Sequence, residues 1–191
     1  MTIEKTKSSD TVTAGMVAKN GFKEHAKGGG VYHVECIGAD GQLKWMGNMS
    51  NLVVNEGLQN MNTQYFKGSA YTAAFFLGLV TGPASGTTYA AADTLASHAG
   101  WTELSGYTGN RKPVTFGTAT TAAPSVIDST GSPSSFAITG TAVVAGAFLC
   151  TVDSGTSGVL FSEADFDSPG DRSVVSGDTL NVSYTFSLAT V

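Results

Sequence analysis

The chain has few charged residues, few prolines and only two cysteines. Charged residues make up 13% of its 191 residues, about half the usual share in globular proteins. No run approaches the roughly 18 apolar residues of a membrane span, and the N-terminus lacks the apolar stretch of a secretion signal. A net charge of −5 gives little attraction for nucleic-acid phosphates. The composition therefore predicts neither a membrane protein nor a nucleic-acid-binding protein.

The two cysteines are too few to form a disulfide framework in a chain of this length. Cys36 lies in the alternating run of residues 31–37, and Cys150 follows two large apolar residues. Each occupies a position where a small apolar side chain would fit. The sequence predicts that both are reduced core residues.

Small and hydroxyl-bearing residues dominate what is present. Gly, Thr, Ser and Ala together form nearly half of the chain, and hydrophobic residues form 41%, which is too many for a disordered chain. Residues 1–67 carry a net charge of +1 and residues 68–191 a net charge of −6. This composition is typical of a turn-rich β protein with a neutral-to-basic front and an acidic body.

Residues 1–30 have few large apolar side chains and end in a run of three glycines. Such a polar segment buries too little surface to order itself alone. It is either a frayed terminus or an extended arm that lies across a partner. As an arm it would bind through its five lysines, Lys5, Lys7, Lys19, Lys23 and Lys27.

From Val31 onward, alternating apolar residues predict strands. A turn at residues 39–41 joins residues 31–37 to residues 42–46 in a hairpin. The 3.6-residue spacing of apolar side chains predicts one short helix over about residues 56–66, with Asn55 as its N-cap. Residues 71–80 are apolar throughout, which is typical of a strand buried on both faces.

The remaining strands are separated by Gly, Ser, Pro and Asp clusters at spacings usual for sandwiches. Residues 117–133 are predicted to be a loop with one edge strand, and Val174 and Val175 a short partner of the last strand. The predicted strands are residues 112–117, 134–139, 141–152, 159–161 and 179–188. The sequence therefore predicts a mainly β fold, an antiparallel β-sandwich in which residues 31–191 form one domain. A jelly roll is among the topologies left open.

Residues 93–103 bring an acid, a hydroxyl, an imidazole and an indole close together in sequence. Ser97 and His98 are adjacent and would point in different directions on a turn, which argues against a nucleophile and its base. We expect a structural loop, with Asp93 capping a helical turn, Gly100 in a left-handed conformation and Trp101 inserted in the core. Glu103 with Asp93 is the only carboxylate pair that a polymer-cleaving enzyme could use.

No metal-binding pattern is convincing either. His33 and Cys36 would lie on opposite faces of a strand, because their separation is odd. Glu163, Asp165, Asp167 and Asp171 form an acidic cluster without the Gly and Glu positions of the known calcium loop, and we interpret it as a solvated turn, with Ca²⁺ as the alternative. The sequence thus predicts no catalytic, cofactor-binding or metal-binding residues, and hence no enzyme.

Several segments resemble a recurring set of motifs in small virion proteins encoded by tailed bacteriophages and prophages. The resemblance extends over about residues 45–188. It rests on residues 51–58 (NLVVNEGL), 93–103 (DTLASHAGWTE), 146–149 (GAFL), 160–166 (LFSEADF) and 176–182 (SGDTLNV).

The resemblance implies a structural virion component, in first place a head decoration or cement protein and in second place a tail or fibre protein that binds a host-surface glycan or protein. A decoration protein would be made in the bacterial cytoplasm and act on the head surface. Its expected partners are the phage major capsid protein and copies of itself, as a dimer or trimer, with no nucleic acid, membrane or cofactor. For a glycan binder, exposed aromatic side chains would be needed, and the candidates are Tyr71, Tyr89, Trp101 and Tyr107.

Overall fold

A computed structural model describes residues 26–67, 74–82, 86–167 and 170–190. Of these described residues, 47% lie in strands and 8% in helix, so the predicted mainly β class is confirmed. In chain order the elements are β1 (Ala26–Ile37), β2 (Leu43–Ser50), β3 (Leu52–Val53), α1 (Asn55–Phe66), β4 (Phe76–Thr81), β5 (Thr102–Glu103), β6 (Lys112–Pro113), β7 (Ser125–Asp128), β8 (Ser134–Ala137), β9 (Ala142–Val144), β10 (Gly146–Cys150), β11 (Leu160–Asp165), β12 (Arg172–Val174) and β13 (Thr179–Thr190).

Two antiparallel sheets face each other. The first has the order β2-β1-β13-β7, with β8 also paired to β13, and the second has the order β3-β11-β10-β4-β5, with β6 also paired to β4. A separate two-stranded ribbon joins β12 to β9. The arrangement is sandwich-like and is not a closed barrel, which confirms the predicted antiparallel sandwich. The jelly-roll topology stays a prediction.

The sandwich interior follows from the period-two alternation of the strands. Tyr32, Val34 and Cys36 of β1 point inward and are fully buried, and they pair across the sheet with alternating residues of β13. The alternation predicted for the last strand holds for Leu180 and its next two apolar neighbours but weakens toward the end, where Leu188 is 40% exposed. Both cysteines are buried and unpaired, as predicted.

The second sheet is covered on both faces. Its inner face joins the sandwich core through residues such as Leu77 and Leu79, while Val80 and Phe148 point outward into a second apolar cluster. Leu95 and Trp101, from the segment that precedes β5, complete that outer cluster. This double coverage explains why β4 and β10 are apolar throughout instead of alternating.

Helix α1 is fixed at its N-terminal end. Gly57 lies against β11, where an added Cβ would overlap the Phe161 carbonyl oxygen. The Glu56 carboxylate accepts the backbone N–H of Leu160 at 2.8 Å and that of Leu95 at 3.3 Å. These contacts attach the first turn of the helix to β11 and to the segment that precedes β5.

Several local predictions were wrong. The residue at the N-cap of α1 is Val54, which makes no side-chain cap bond, and Asn55 is the first helical residue. The strand predicted over residues 141–152 is divided at Ala145, whose N–H donates to the Val80 carbonyl where the chain passes from the ribbon to the second sheet. Val174 pairs with Ala142 of β9 instead of with the last strand. The edge strand predicted within 117–133 is present as β7.

The first strand begins at Ala26, five residues before the predicted start at Val31. Gly28, Gly29 and Gly30 pair with Leu188, Ser187 and Phe186 of β13. They belong to the sheet, whereas the sequence placed them in the arm. The division into an arm and one domain otherwise stays a prediction, since residues 1–25 lie outside the described residues. Within the described ranges no helix is long and apolar enough to cross a membrane.

Candidate functional site

The C-terminal end of α1 exposes large aromatic side chains. Tyr65 is 83% exposed and Phe66 80% exposed, and their rings pack edge to face with centroids 4.9 Å apart. Leu58, on the same helical face, is 45% exposed. The predicted helix is therefore present, but only Met61 of its apolar face packs against the core. Exposed apolar surface concentrated in this way is typical of an interaction site.

This helix end borders an apolar cavity of about 600 Å³, which we call the helix-end groove. One wall is the last two turns of α1, and the other is formed by the start of β1 and the end of β13. Its lining residues are Ala26, Met61, Asn62, Gln64, Tyr65, Phe66 and Leu188. The Gln64 Oε1 atom is buried and accepts no hydrogen bond from any described residue. The groove thus has mainly apolar walls.

A second apolar cavity of about 410 Å³ lies between the two sheets. Met61 borders both cavities. Phe75, Phe116 and Phe161 line the inner cavity, and the Phe75 ring packs edge to face against both of the others. Met61 therefore lies between the helix-end groove and the inner cavity.

A buried carboxyl group lies on the opposite side of the second sheet. Glu163 of β11 is fully buried. It accepts the Trp101 indole N–H at 2.8 Å and the Ala90 backbone N–H at 3.1 Å. The same Ala90 N–H lies 3.2 Å from Asp93 Oδ2. Two carboxyl groups therefore converge on one backbone amide.

This environment raises the pKa of Glu163 to about 8. Burial is the largest cause, and the charge of Asp93 and a hydrogen bond with its carboxyl group act in the same direction. The hydrogen bonds from Trp101 and Ala90 oppose the shift, because they stabilise the ionised form. At neutral pH Glu163 is consequently protonated, and its O–H can donate a hydrogen bond to the Asp93 carboxylate. The prediction of a solvated acidic turn was wrong for Glu163.

The segment around His98 has the structural role that was predicted for it. Trp101 is 3% exposed, and the His98 ring stacks on it with centroids 3.7 Å apart and planes 10° apart. Thr94 and Ser97 form an isolated bridge instead of a capped helical turn. Gly100 does not have a positive φ; it is needed because a Cβ there would overlap Thr88.

The two carboxylates that the sequence offered as a catalytic pair have different partners. Glu103 accepts two hydrogen bonds from Arg111, at 2.9 and 2.7 Å, while Asp93 lies beside Glu163. Arg111 is 6% exposed, donates to the Val152 carbonyl and lies over the Phe148 ring at 5.1 Å. These charged groups connect loops to the second sheet.

Of the five predicted partner-binding lysines, the structure places one. Lys27 is an exposed residue of β1, paired with Ala189. Lys5, Lys7, Lys19 and Lys23 lie outside the described residues. In the parts of the chain that are described, no three His, Cys, Asp or Glu side chains are grouped so that they could hold a metal ion.

Sequence reasoning missed the exposure of Tyr65 and Phe66 and the burial of Glu163. The nearest sequence signal for the first was the pair of aromatic residues at the end of a helix whose other large side chains are mostly polar. Comparison with protein-family models, curated proteins and solved structures gave no match.

Proposed function

We propose that this protein is a structural component of a tailed-bacteriophage virion, and more specifically a head decoration protein that binds the outside of the capsid. The observation that carries the proposal is the exposed aromatic end of α1 beside Ala26, where residues 1–25 join the body. A lysine-bearing arm that leaves the body beside this aromatic surface suits attachment to another protein surface, because the aromatic side chains can hold the base of the arm. The motif resemblance points the same way.

The buried polar groups support a scaffold role. Glu163, Trp101 and Ala90 connect the segment before β5 to β11, and Arg111 with Glu103 connects two loops to the second sheet. Each group is engaged in holding parts of the body together. A rigid body with its polar chemistry used internally suits a protein that acts by occupying a surface.

The outer face of the first sheet offers contacts of a second kind. Ser135 Oγ lies 2.6 Å from Asn181 Oδ1, and His33 Nδ1 lies 2.8 Å from Asn48 Oδ1. Hydroxyl and amide groups both donate and accept hydrogen bonds, so such a face suits hydrated contacts between copies or with a capsid lattice.

A tail or fibre protein that binds a host-surface glycan or protein is the alternative. The aromatic side chains that the sequence offered for glycan binding do not favour it, because Trp101 is 3% and Tyr107 8% exposed. Tyr89 is half-buried, and Tyr71 lies outside the described residues. A fibre role would have to use Tyr65 and Phe66 instead.

The copy number in purified particles tests the proposal. Particles from a lysate of the encoding phage or induced prophage are analysed by quantitative mass spectrometry against the major capsid protein. Hundreds of copies per particle are expected for decoration. A few to tens of copies would indicate the neck, tail or fibre, and absence from particles would overturn a virion role.

Binding to isolated heads that lack the protein tests attachment directly. We expect the full chain to saturate the heads and a chain lacking residues 1–25 to bind at least tenfold more weakly. The structure sets this boundary, because removing Ala26 would shorten β1. A matched variant with Lys5, Lys7, Lys19 and Lys23 replaced by Gln separates loss of charge from loss of length. Undiminished binding by the shortened chain would overturn the arm's role.

A further inference from the structure

We propose that the helix-end groove is the docking site for the chain's own N-terminal segment, with Phe22 as the side chain that enters it. The docking itself does not depend on the proposed function. The role of the docking in attachment rests on that function, because a docked Phe22 would fix the direction in which the lysine-bearing residues 1–19 leave the body.

Chain connectivity is the first argument. Ala26 is the first described residue and itself lines the groove, so the residues that precede it start at the groove wall. Phe22 lies four residues before Ala26, and an extended chain of that length reaches about 13 Å. A segment joined to its own docking site has an effective concentration on the order of millimolar. A weak contact therefore suffices to fill the groove.

The chemistry of the groove matches this segment. Phe22 is the only aromatic residue within residues 1–25, and Tyr65 and Phe66 offer ring edges and faces for an edge-to-face contact.

The size of the exposed patch argues against a second copy as the occupant. Tyr65 and Phe66 together present roughly 300–400 Å² of aromatic surface. A stable dimer buries about 800 Å² on each partner. A tethered segment does not need so large an area, because it does not lose the freedom of an independent molecule on binding.

Cross-linking of the purified protein at low concentration tests the inference. Gly21→Cys is combined with Asn62→Cys in the groove, or with the control Leu43→Cys, which is exposed on β2 at the far end of β1. A bismaleimide with a span of about 8 Å, a distance little longer than two residues of extended chain, joins nearby thiols. Cys36 and Cys150 are buried, and each single-cysteine variant measures their background reaction.

We expect an intramolecular cross-link with Asn62→Cys at least tenfold more abundant than with Leu43→Cys. Adding Phe22→Ser should reduce it to the control level without unfolding the body. A cross-linked dimer would overturn the inference in favour of a second copy. Equal cross-linking of both pairs, or a yield insensitive to Phe22→Ser, would show that the segment does not dock. These outcomes involve no phage heads, so they are distinct from a failure of the proposed function.

Discussion

The Trp101 indole N–H donates a 2.8 Å hydrogen bond to the Glu163 carboxyl group across 62 residues of sequence. Trp101 also packs on Phe148 of the second sheet, with ring centroids 5.0 Å apart. The bond therefore fastens the segment before β5 over the outer face of that sheet. Because Glu163 is fully buried, its protonation state is linked to the stability of the fold.

Stability should fall as the pH rises from about 4.5 to 8. The pKa of Glu163 is about 8 in the folded protein and about 4.3 when unfolded, so between these values the folded state holds a proton that the unfolded state has lost. The slope contributed by this group approaches about 1.4 kcal/mol per pH unit. Urea unfolding at pH 5, 6, 7 and 8 measures it.

Glu163→Gln is the matched variant for that measurement. Its amide NH₂ can donate to Asp93 as the protonated acid does, and its carbonyl can accept from Trp101, so we expect the decline between pH 5 and 8 to be largely lost. Trp101→Phe keeps an aromatic ring but removes the indole hydrogen bond to Glu163. Because that bond stabilises the ionised carboxylate, its loss should leave the decline in stability between pH 5 and 8 in place. An identical pH profile for wild type and Glu163→Gln would contradict the assignment.

Gly57→Ala should destabilise the protein even though alanine is the better helix former. The added Cβ would overlap the backbone carbonyl of Phe161, which cannot move aside as a flexible side chain can. We expect a loss of at least about 2 kcal/mol, which outweighs the gain of about 1 kcal/mol in helix propensity. Gly29→Ala is the control: no atom lies within 4 Å of its added Cβ, so a small gain of about 0.5 kcal/mol is expected. Chemical denaturation measures the free energy of unfolding of both variants. An unchanged stability for Gly57→Ala would contradict the close packing of α1 on β11.

Patterns within one element were predictable from the sequence. The alternation of β13, the hairpin of β1 and β2 and the periodicity of α1 depend on neighbouring residues, and all four elements are present. The division of residues 141–152 at Ala145 was not visible, because both halves are apolar and the break is caused by a change of partner strand. Patterns of this kind are set by tertiary pairing.

The burial of Glu163 was hidden for a related reason. In the pairing of β10 with β11, Leu149 faces Ser162 but Cys150 faces Leu160, so Phe161 is an extra residue in a β-bulge. The bulge reverses the alternation and places Glu163 on the outer face with Trp101. A one-residue shift cannot be read from the period of the strand. The exposure of Phe66 was similarly hidden, because periodicity identifies an apolar face but not what covers it.

Replacing Arg111 should lower the stability of the fold substantially. Its guanidinium group makes two bonds to Glu103 and one to the Val152 carbonyl at 3.2 Å. Breaking a buried ion pair costs roughly 3–5 kcal/mol, but the Glu103 side chain is 32% exposed, so water partly solvates the carboxylate left behind. We therefore expect about 2–3 kcal/mol for Arg111→Met by thermal or urea unfolding.

Two further variants separate charge from geometry at this ion pair. Arg111→Lys keeps the charge but cannot form both bonds to Glu103, and it should lose less stability than Arg111→Met. Adding Glu103→Gln to Arg111→Met should recover part of the loss, because the unpaired charge is gone. Strict additivity of the two substitutions would show that the pair is not coupled.

Asp178 should give the opposite response to pH from Glu163. It is 2% exposed, and its Oδ2 accepts the Lys44 ammonium group at 2.7 Å and the Val175 backbone N–H at 3.0 Å. Burial alone would raise its pKa, but these two bonds, the charge of Lys44 and a hydrogen bond with the Cys36 thiol together outweigh burial and lower the pKa of Asp178 below its usual value. Since the pKa is depressed in the folded state, the stabilisation is present above the unfolded pKa of about 3.9 and is lost as the pH falls through the folded value.

Unfolding measured between pH 5 and 2 therefore isolates this group from Glu163, whose contribution changes above pH 4.5. Asp178→Asn should reduce the loss of stability between pH 5 and 2. It should also lower the free energy of unfolding at pH 6 by about 1–3 kcal/mol, because the turn before β13 loses a charged acceptor. Lys44→Met removes only the partner on the exposed side, so the bond to Val175 remains and the acid decline should shift to higher pH without disappearing. If Lys44→Met and Asp178→Asn gave the same profile, the backbone bond would contribute nothing and the ion pair alone would account for the lowered pKa.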